Sequence, residues 1–453
     1  MKKILLCLFL IVELSGCHIY KAYERPDVAV TDSLYRQPVQ PTDTASLASL
    51  SWRELFTDPQ LQQLIETGLR NNTDLNIARL KVKEAEALLM TSRLSYLPSL
   101  SLTPQGNLTS VDGSKASKTY NLAASADWEI DLFGKLLNAK RGAQAALEQS
   151  EAYRQAVQTQ LVATIANSYY SLLMLDRQQD ITRRTAESWD ESVRAMKALK
   201  LAGQATEMAV AQAEASKLSV DASILSIERQ INEMENSLST LLGLTPQEVK
   251  RSTLEAQQFP DSLATGVPLQ LLSRRPDVRQ CEAQLAVAYY ATNSARSAFY
   301  PSITLSGSAG WTNAAGAVVT NPGQWLLSAV GSLVQPLFNR GKNIANLKIA
   351  KAQQEEALLT FNQNLLDAGA EVNDALVQWQ TARQRIQLDK QQTEALRSAL
   401  RSSELLMQHS SQNYLEVLTA RQSLLQAELD MATDRFDEIQ GVINLYHALG
   451  GGY

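Results

Sequence analysis

Two periods of hydrophobicity share this chain. Over Ser302-Ile303-Thr304-Leu305-Ser306-Gly307-Ser308-Ala309-Gly310-Trp311 every second residue is apolar or small, and the others are mostly Ser or Thr. Tyr120, Leu122, Ala124, Ala126, Trp128 and Ile130 alternate in the same way with Asn121, Ser125, Asp127 and Glu129. Segments of about ten residues with one apolar and one polar face predict strands, either half-buried in a sheet or crossing an outer membrane with one face to lipid. Trp128, Trp311 and Trp325 lie in or beside these segments, and Tyr96, Phe299 and Tyr300 stand at their mouths. Aromatic residues so placed suit the girdles at membrane interfaces. The second period is helical. Phe133 to Lys200 contains no Pro and only Gly134 and Gly142, and Phe338 to Gln408 again contains no Pro. At 1.5 Å per residue, roughly 68 residues make a helix of about 100 Å. Leu358, Phe361, Leu365, Ala368, Val372, Ala375 and Trp379 alternate spacings of three and four, as do Leu161, Ile165, Ser168, Leu172 and Leu175. That is a heptad seam, and at this length it predicts coiled-coil assembly.

The pattern is written twice. Asn72-Thr73-Asp74-Leu75 through Leu97-Pro98-Ser99-Leu100-Ser101-Leu102 aligns without gaps to Arg275-Pro276-Asp277-Val278 through Tyr300-Pro301-Ser302-Ile303-Thr304-Leu305, an offset of 203. Asp131-Leu132-Phe133-Gly134-Lys135 matches Pro336-Leu337-Phe338-Asn339-Arg340 at 205, and Leu241-Leu242-Gly243 matches Ala448-Leu449-Gly450 at 207. Each copy therefore predicts a helix, two strands, a long helix and another helix. In the first copy these are a helix over 60–97, strands over about 99–131, and helices over 133–200 and 205–243. In the second they are a helix over 275–298, strands over about 302–335, and helices over 338–408 and 413–449. Two strands per copy give four per chain. Four strands cannot close a membrane barrel, and an open edge in lipid leaves backbone groups unsatisfied, so membrane strands would require association. Counting leaves two, three or more chains open.

Composition narrows the chemistry. The 20 Gly and 13 Pro of 453 residues are few, as long helices require. A net charge of -5 argues against a nucleic-acid partner, which would want a basic stripe. Three His and three Cys leave little material for a metal site, and no nucleophile–base, Walker or dinucleotide-binding pattern occurs. We therefore expect no enzymatic activity and no cofactor. At the amino terminus, Lys2 and Lys3 precede an apolar run from Ile4 to Val12 that is too short to span a bilayer. Leu14-Ser15-Gly16-Cys17 resembles the bacterial lipobox, so 1–16 reads as a signal peptide and Cys17 as the lipidation site. With Cys7 removed and Cys17 acylated, Cys281 has no partner for a disulfide.

Taken together these residues resemble a known family, the TolC-type outer-membrane efflux channels, and in particular the lipidated branch that serves resistance-nodulation-division pumps. The resemblance rests on Leu14-Ser15-Gly16-Cys17, on Arg274-Arg275-Pro276-Asp277-Val278 followed by Ala298-Phe299-Tyr300-Pro301-Ser302-Ile303, and on Ala448-Leu449-Gly450-Gly451-Gly452-Tyr453. It implies a mainly α fold with a β-barrel part: two tandem repeats, with four membrane strands per chain completing a trimeric 12-stranded barrel that a long α-helical barrel continues. Residues 17–58 would then be the lipid anchor and N-terminal equatorial segment, and 59–243 the first repeat. Residues 244–270 would be an equatorial linker and 271–453 the second repeat. The implied function is a passive exit duct for small molecules in the outer membrane, extending into the periplasm. Its implied partners are outer-membrane lipid, a periplasmic adaptor and an inner-membrane pump. A protein-secretion duct and a non-conducting, periplasm-spanning lipoprotein are the alternatives. The functional end would be the periplasmic tip, where helices reverse near Gly203 and again near 409–416. The family's pattern puts a pore-ring acid at Glu416 and a second ring at the position of Thr419, and Gln412, Asn413 and Tyr414 could bond between protomers. Arg274-Arg275-Pro276-Asp277 reads as the structural opening of a helix, with Pro in the first turn and Asp at the positive end of the dipole.

Overall fold

A computed structural model describes residues 20–26, 47, 50–259, 274–313, 324–409 and 414–452. The signal segment, Cys17, Gln412 and Asn413 lie outside the described residues. Helices α1 (Trp52–Leu55), α2 (Pro59–Asn71) and α3 (Thr73–Leu94) lead into strands β1 (Ser99–Thr109) and β2 (Ser117–Ile130). Helices α4 (Lys135–Leu201) and α5 (Glu207–Leu241) follow. The second copy runs α6 (Pro276–Ser297), β3 (Ser302–Thr312), β4 (Gln324–Val334), α7 (Lys342–His409) and α8 (Tyr414–Ala448). No described helix is long and apolar enough to cross a membrane.

The element boundaries locate the step in the repeat. Helices α3 and α6 start 203 apart, as do β1 and β3, whereas α4 and α7, and α5 and α8, start 207 apart. Residues 110–116 join the first hairpin and 313–323 the second, so the four extra residues sit in the second hairpin loop. This corrects the match at 205. Gly134 pairs not with Asn339 but with Gly341; both precede a long helix and both hold a positive φ, of 70° and 75°. Gly243 and Gly450 repeat the device after α5 and α8, at 67° and 84°. These are backbone conformations that glycine adopts without steric cost.

A second correction concerns 60–97, which is two helices rather than one. Asn72 leaves helical geometry, at φ -55° and ψ 129°. Its Oδ1 accepts from the Leu75 N–H (2.9 Å), which caps α3, and its Nδ2 donates to the Leu241 carbonyl (3.0 Å) at the end of α5. The second copy does the same with a different side chain, since Arg275 Nη1 donates to the Ala448 carbonyl (2.8 Å) at the end of α8. Arg275 also pairs with Asp277 (2.6 Å) and Glu371 (2.7 Å), which gives the Arg-Pro-Asp sequence the structural role read for it.

The chain folds into two compact units. One lies within 1–28, 80–152 and 279–363 and holds a four-stranded antiparallel sheet in the order β1-β2-β3-β4. Its register gathers Leu100, Leu102, Leu122, Ala124, Trp128, Ile130, Ile303, Leu305, Trp311, Trp325, Leu327 and Leu333 on one face. The opposite face carries Ser99, Ser101, Thr103, Gln105, Asn121, Ser125, Asp127, Thr304, Ser306, Ser308, Ser328 and Ser332, with Leu326, Val330 and Val334 of β4 among them. Hydrogen bonds cross this polar face from Ser306 Oγ to Asp127 (2.6 Å) and between Ser101 and Ser125 (2.7 Å). Gly310 stands where β2 comes close, and a Cβ there would sit 2.5 Å from Ala123 Cα. Aromatic groups mark both ends of the strands. Trp311 and Trp325 pair across β3 and β4 with centroids 4.7 Å apart. At the other end Phe133 stacks on Tyr300 at 5.1 Å, and Trp128 Nε1 donates to the Tyr96 carbonyl (2.9 Å).

The other unit lies within 29–79, 153–278 and 364–453. Its core gathers Phe56, Leu61, Ile65, Tyr169, Tyr170, Leu172, Val372 and Ile443, all fully or nearly fully buried. The predicted seams point inward: Leu161, Ile165, Leu172, Leu175, Phe361, Leu365, Ala368, Val372 and Ala375 are buried. Gly441 lets α8 approach α7, for a Cβ there would lie 2.9 Å from the Trp379 backbone.

Candidate functional site

The reversal of α4 into α5 is built from local chemistry. Gly203, at φ 74°, turns the chain out of α4, and its N–H returns to the Lys200 carbonyl (3.0 Å). Thr206 then caps α5, its Oγ1 accepting from the Ala209 N–H (3.2 Å). Lys200 pairs with Glu207, Lys197 with Glu214 (2.7 Å), and Lys217 with both Asp190 (3.5 Å) and Asp221 (2.7 Å). Beneath these ion pairs Trp189, Val193, Met196, Val210, Ala213 and Val220 form a separate apolar cluster.

The first turns of α8 sit on that cluster through Tyr414 and Leu418. Tyr414 is buried and its hydroxyl has no hydrogen-bond partner; burial pushes its ionisation up to about 12. The tyrosine is thus a packing residue within the chain, with its ring turned into the helices. Glu416 and Thr419 are exposed on the other side of α8, three residues apart and so on one face. The Thr419 hydroxyl is engaged within its own helix, donating to the Leu415 carbonyl (2.9 Å).

Sequence reading missed Arg421. Its Nη1 donates to the Ser188 carbonyl of α4 (2.6 Å) and to the Ser188 hydroxyl, and its Nη2 donates to Glu404 of α7 (2.6 Å). One largely buried guanidinium therefore ties three helices together just behind the reversal. The signal was available, since Tyr414, Leu418, Arg421 and Leu425 continue the spacing of three and four, with a charge at an apolar seam position. Among the described residues no group of three His, Cys, Asp or Glu is arranged to hold a metal ion.

Residues 64–244 and 267–451 match the family described as outer membrane efflux protein, in two segments that coincide with the two repeats. The chain belongs to that family. The probable outer membrane lipoprotein SilC of Salmonella typhimurium is 30% identical over 463 residues, covering 99% of this chain and 98% of its own. The toluene efflux pump outer membrane protein TtgC of Pseudomonas putida is 30% identical over 456 residues, covering 97% and 93%. The open-state structure of the MtrE outer membrane channel of Neisseria gonorrhoeae superposes with a TM-score of 0.87 at 28% identity, covering 96% of this chain and 98% of that one. This efflux protein is accordingly an outer-membrane channel, and its family consists of transport ducts rather than known enzymes.

Proposed function

We propose that the channel is a homotrimeric exit duct that passes small molecules outward without performing chemistry of its own. The observation that carries this reading is the sheet. It has one apolar and one polar face, and β1 and β4 are left as edges with unpaired backbone ladders. In hydrocarbon such edges must be paired, and pairing β4 of one copy with β1 of the next closes twelve strands when three chains meet. Strands of 11 residues, tilted as in outer-membrane barrels, suit an apolar band about 25 Å tall. The energy for transport comes from elsewhere, from an inner-membrane resistance-nodulation-division pump reached through a periplasmic adaptor.

The anchor is Cys17. Three residues on, Tyr20 packs against Gly134 at the foot of the sheet. From there the Tyr23 N–H donates to Tyr290 Oη (3.1 Å), and Arg25 forks onto Glu282 at 2.7 and 2.5 Å. Tyr20 is thereby held at the strand ends, the level at which acyl chains on a cysteine three residues earlier would enter the leaflet. The segments 17–58 and 244–270 would form an equatorial belt about the helices. At the tip, Arg421 holds the hairpins together, and three copies of Glu416 narrow the pore and favour cations. Gln412 and Asn413 would add bonds between protomers, and Thr419 leaves the second ring without a charge.

Recordings from the purified protein in planar bilayers test this. Wild type should conduct with a preference for cations, and Glu416→Gln should raise the conductance or lessen that preference. A protein that never conducts, even with its tip ties removed, would be a structural lipoprotein. Unaltered recordings from the variant would remove Glu416 from the pore. Export of a co-expressed protein in place of small solutes would favour the secretion duct.

A further inference from the structure

The second half of α7 faces α8, and their seam holds a pair of carboxyl groups that neither the repeat nor the tip requires. Asp434 of α8 is fully buried, and Asp389 of α7 faces it, 9% exposed. Both oxygens of Asp434 and Oδ2 of Asp389 have no hydrogen-bond partner. One turn along α7, Thr393 is 2% exposed, and its hydroxyl is also unpartnered. Buried polar atoms are nearly always satisfied, so four orphaned oxygens in one stretch of seam require an explanation. Two facing carboxylates lack a donor between them; a single shared proton supplies one and removes the like-charge repulsion.

The charges around the pair do not supply the missing donor. Arg385 of α7 has its Nε 3.0 Å from Asp434 Oδ2, outside the geometry of a directed hydrogen bond, and its side chain is 54% exposed to screening solvent. Asp437 of α8 adds a further negative charge. Arg383 and Arg435 are engaged with Glu438, and Arg397 with Glu428. Arg177 of α4 and Lys390 of α7 line a cavity on the Ala432 side of α8, where Glu255 and Glu428 face them. From α4 the contact at this level is neutral, Gln178 donating to Thr433 (3.1 Å). Burial, then the Asp389 carboxyl within hydrogen-bonding reach, drives the Asp434 acid upward, against the pull of Arg385.

We propose that Asp389 and Asp434 share a proton that locks α7 to α8, and that losing it as pH rises loosens the hairpin carrying the tip. The sign follows from linkage. A carboxyl whose folded pKa is raised binds more protons folded than unfolded, so the stability it confers is present at acid pH and is lost as pH rises through the folded value. The lock is a property of this helix pair whether or not the chain serves as the duct proposed above.

The test is amide hydrogen exchange on the intact, detergent-solubilised protein at about pH 5 and about pH 8.5, with intrinsic rates divided out. Wild-type protection over about 380–440 should fall roughly tenfold or more at the higher pH, since each unit of raised pKa is a tenfold change in the linked equilibrium. The α4–α5 hairpin should keep its protection. Asp434→Asn and Asp389→Asn, each neutral at both pH values, should abolish the difference. Equal wild-type protection at the two pH values would overturn the proposal with no variant needed. A fall that persists in both variants, or one shared equally by the α4–α5 hairpin, would do the same. Conductance is not read here, so failure of the lock and failure of the duct remain separate results.

Discussion

Asp58 shows how a single side chain can hold a bend in the chain against the helices. It is buried, caps α2 through the Gln60 N–H (2.9 Å), and accepts hydrogen bonds from Tyr169 Oη (2.6 Å), Gln257 Nε2 (3.0 Å) and Ser252 Oγ. Burial pushes this carboxyl up, but the bonds from Ser252, Tyr169, Gln60 and Gln257 more than offset it, and the acid titrates below its ordinary value. Beside it, Tyr169 is driven to about 12 by burial and by donating to the carboxylate. Asp58→Asn keeps the shape but sets an NH2 group against donors, and it should cost about 1–3 kcal/mol. Because the folded pKa is depressed, the stabilisation is present above the unfolded value and is lost as pH falls through the folded one. Thermal unfolding of wild type and variant should therefore differ at about pH 7 and converge toward about pH 3. A gap that stays constant with acid would mean that Asp58 acts only as a neutral cap.

Between elements, the comparable knot is Arg421, which joins α8 to α4 through Ser188 and to α7 through Glu404. Hydrogen bonds to charged groups contribute about 1.5–3 kcal/mol, and each 1.4 kcal/mol is tenfold in an equilibrium. Arg421→Ala should shift the tip toward open states by roughly one to two orders of magnitude, read as a rise in mean conductance. Arg421→Lys should recover only part of the closed state, because one ammonium cannot fork onto two helices. Identical recordings from wild type and the alanine variant would separate this knot from the gate. At this scale most of the architecture was legible. The strands and long helices stand within a few residues of where alternation and heptads put them, because both periods are set by burial on one face. What was not legible depends on contacts far apart in sequence. The break at Asn72 hides inside an unbroken helical pattern, since its cause is a carbonyl at Leu241. The step of four residues was blurred until Gly134 and Gly341 could be paired by backbone geometry. The Tyr414 ring turns inward because the α4–α5 cluster is there to receive it, and nothing in the residues around it reports that cluster.

For the whole molecule the decisive property is the two-sidedness of an unfinished sheet. Successive strand residues point to opposite faces, so neighbours in β4 should answer the same substitution in opposite ways. Leu327 lies on the apolar face and is 84% exposed in the single chain, while Ser328 lies on the face shared with Ser308. Both are close to the middle of an 11-residue strand. If the apolar face meets lipid, Leu327→Arg buries a charge in hydrocarbon at a cost of about 2–4 kcal/mol near the midplane. Assembled channel should then be lost from the outer membrane, whereas Ser328→Arg should assemble and report itself as a changed ion selectivity. Light scattering on the solubilised protein gives the reference state, a protein mass close to three mature chains, each somewhat below the 49.9 kDa of the full sequence because 1–16 are removed. The two arginine variants test the orientation of the sheet, and the mass tests how many sheets close the barrel. A reversed pair of phenotypes would turn the barrel inside out, and two equally tolerated substitutions would take the sheet out of the bilayer. A mass of two or four chains would keep the membrane strands but replace the twelve-stranded closure with eight or sixteen.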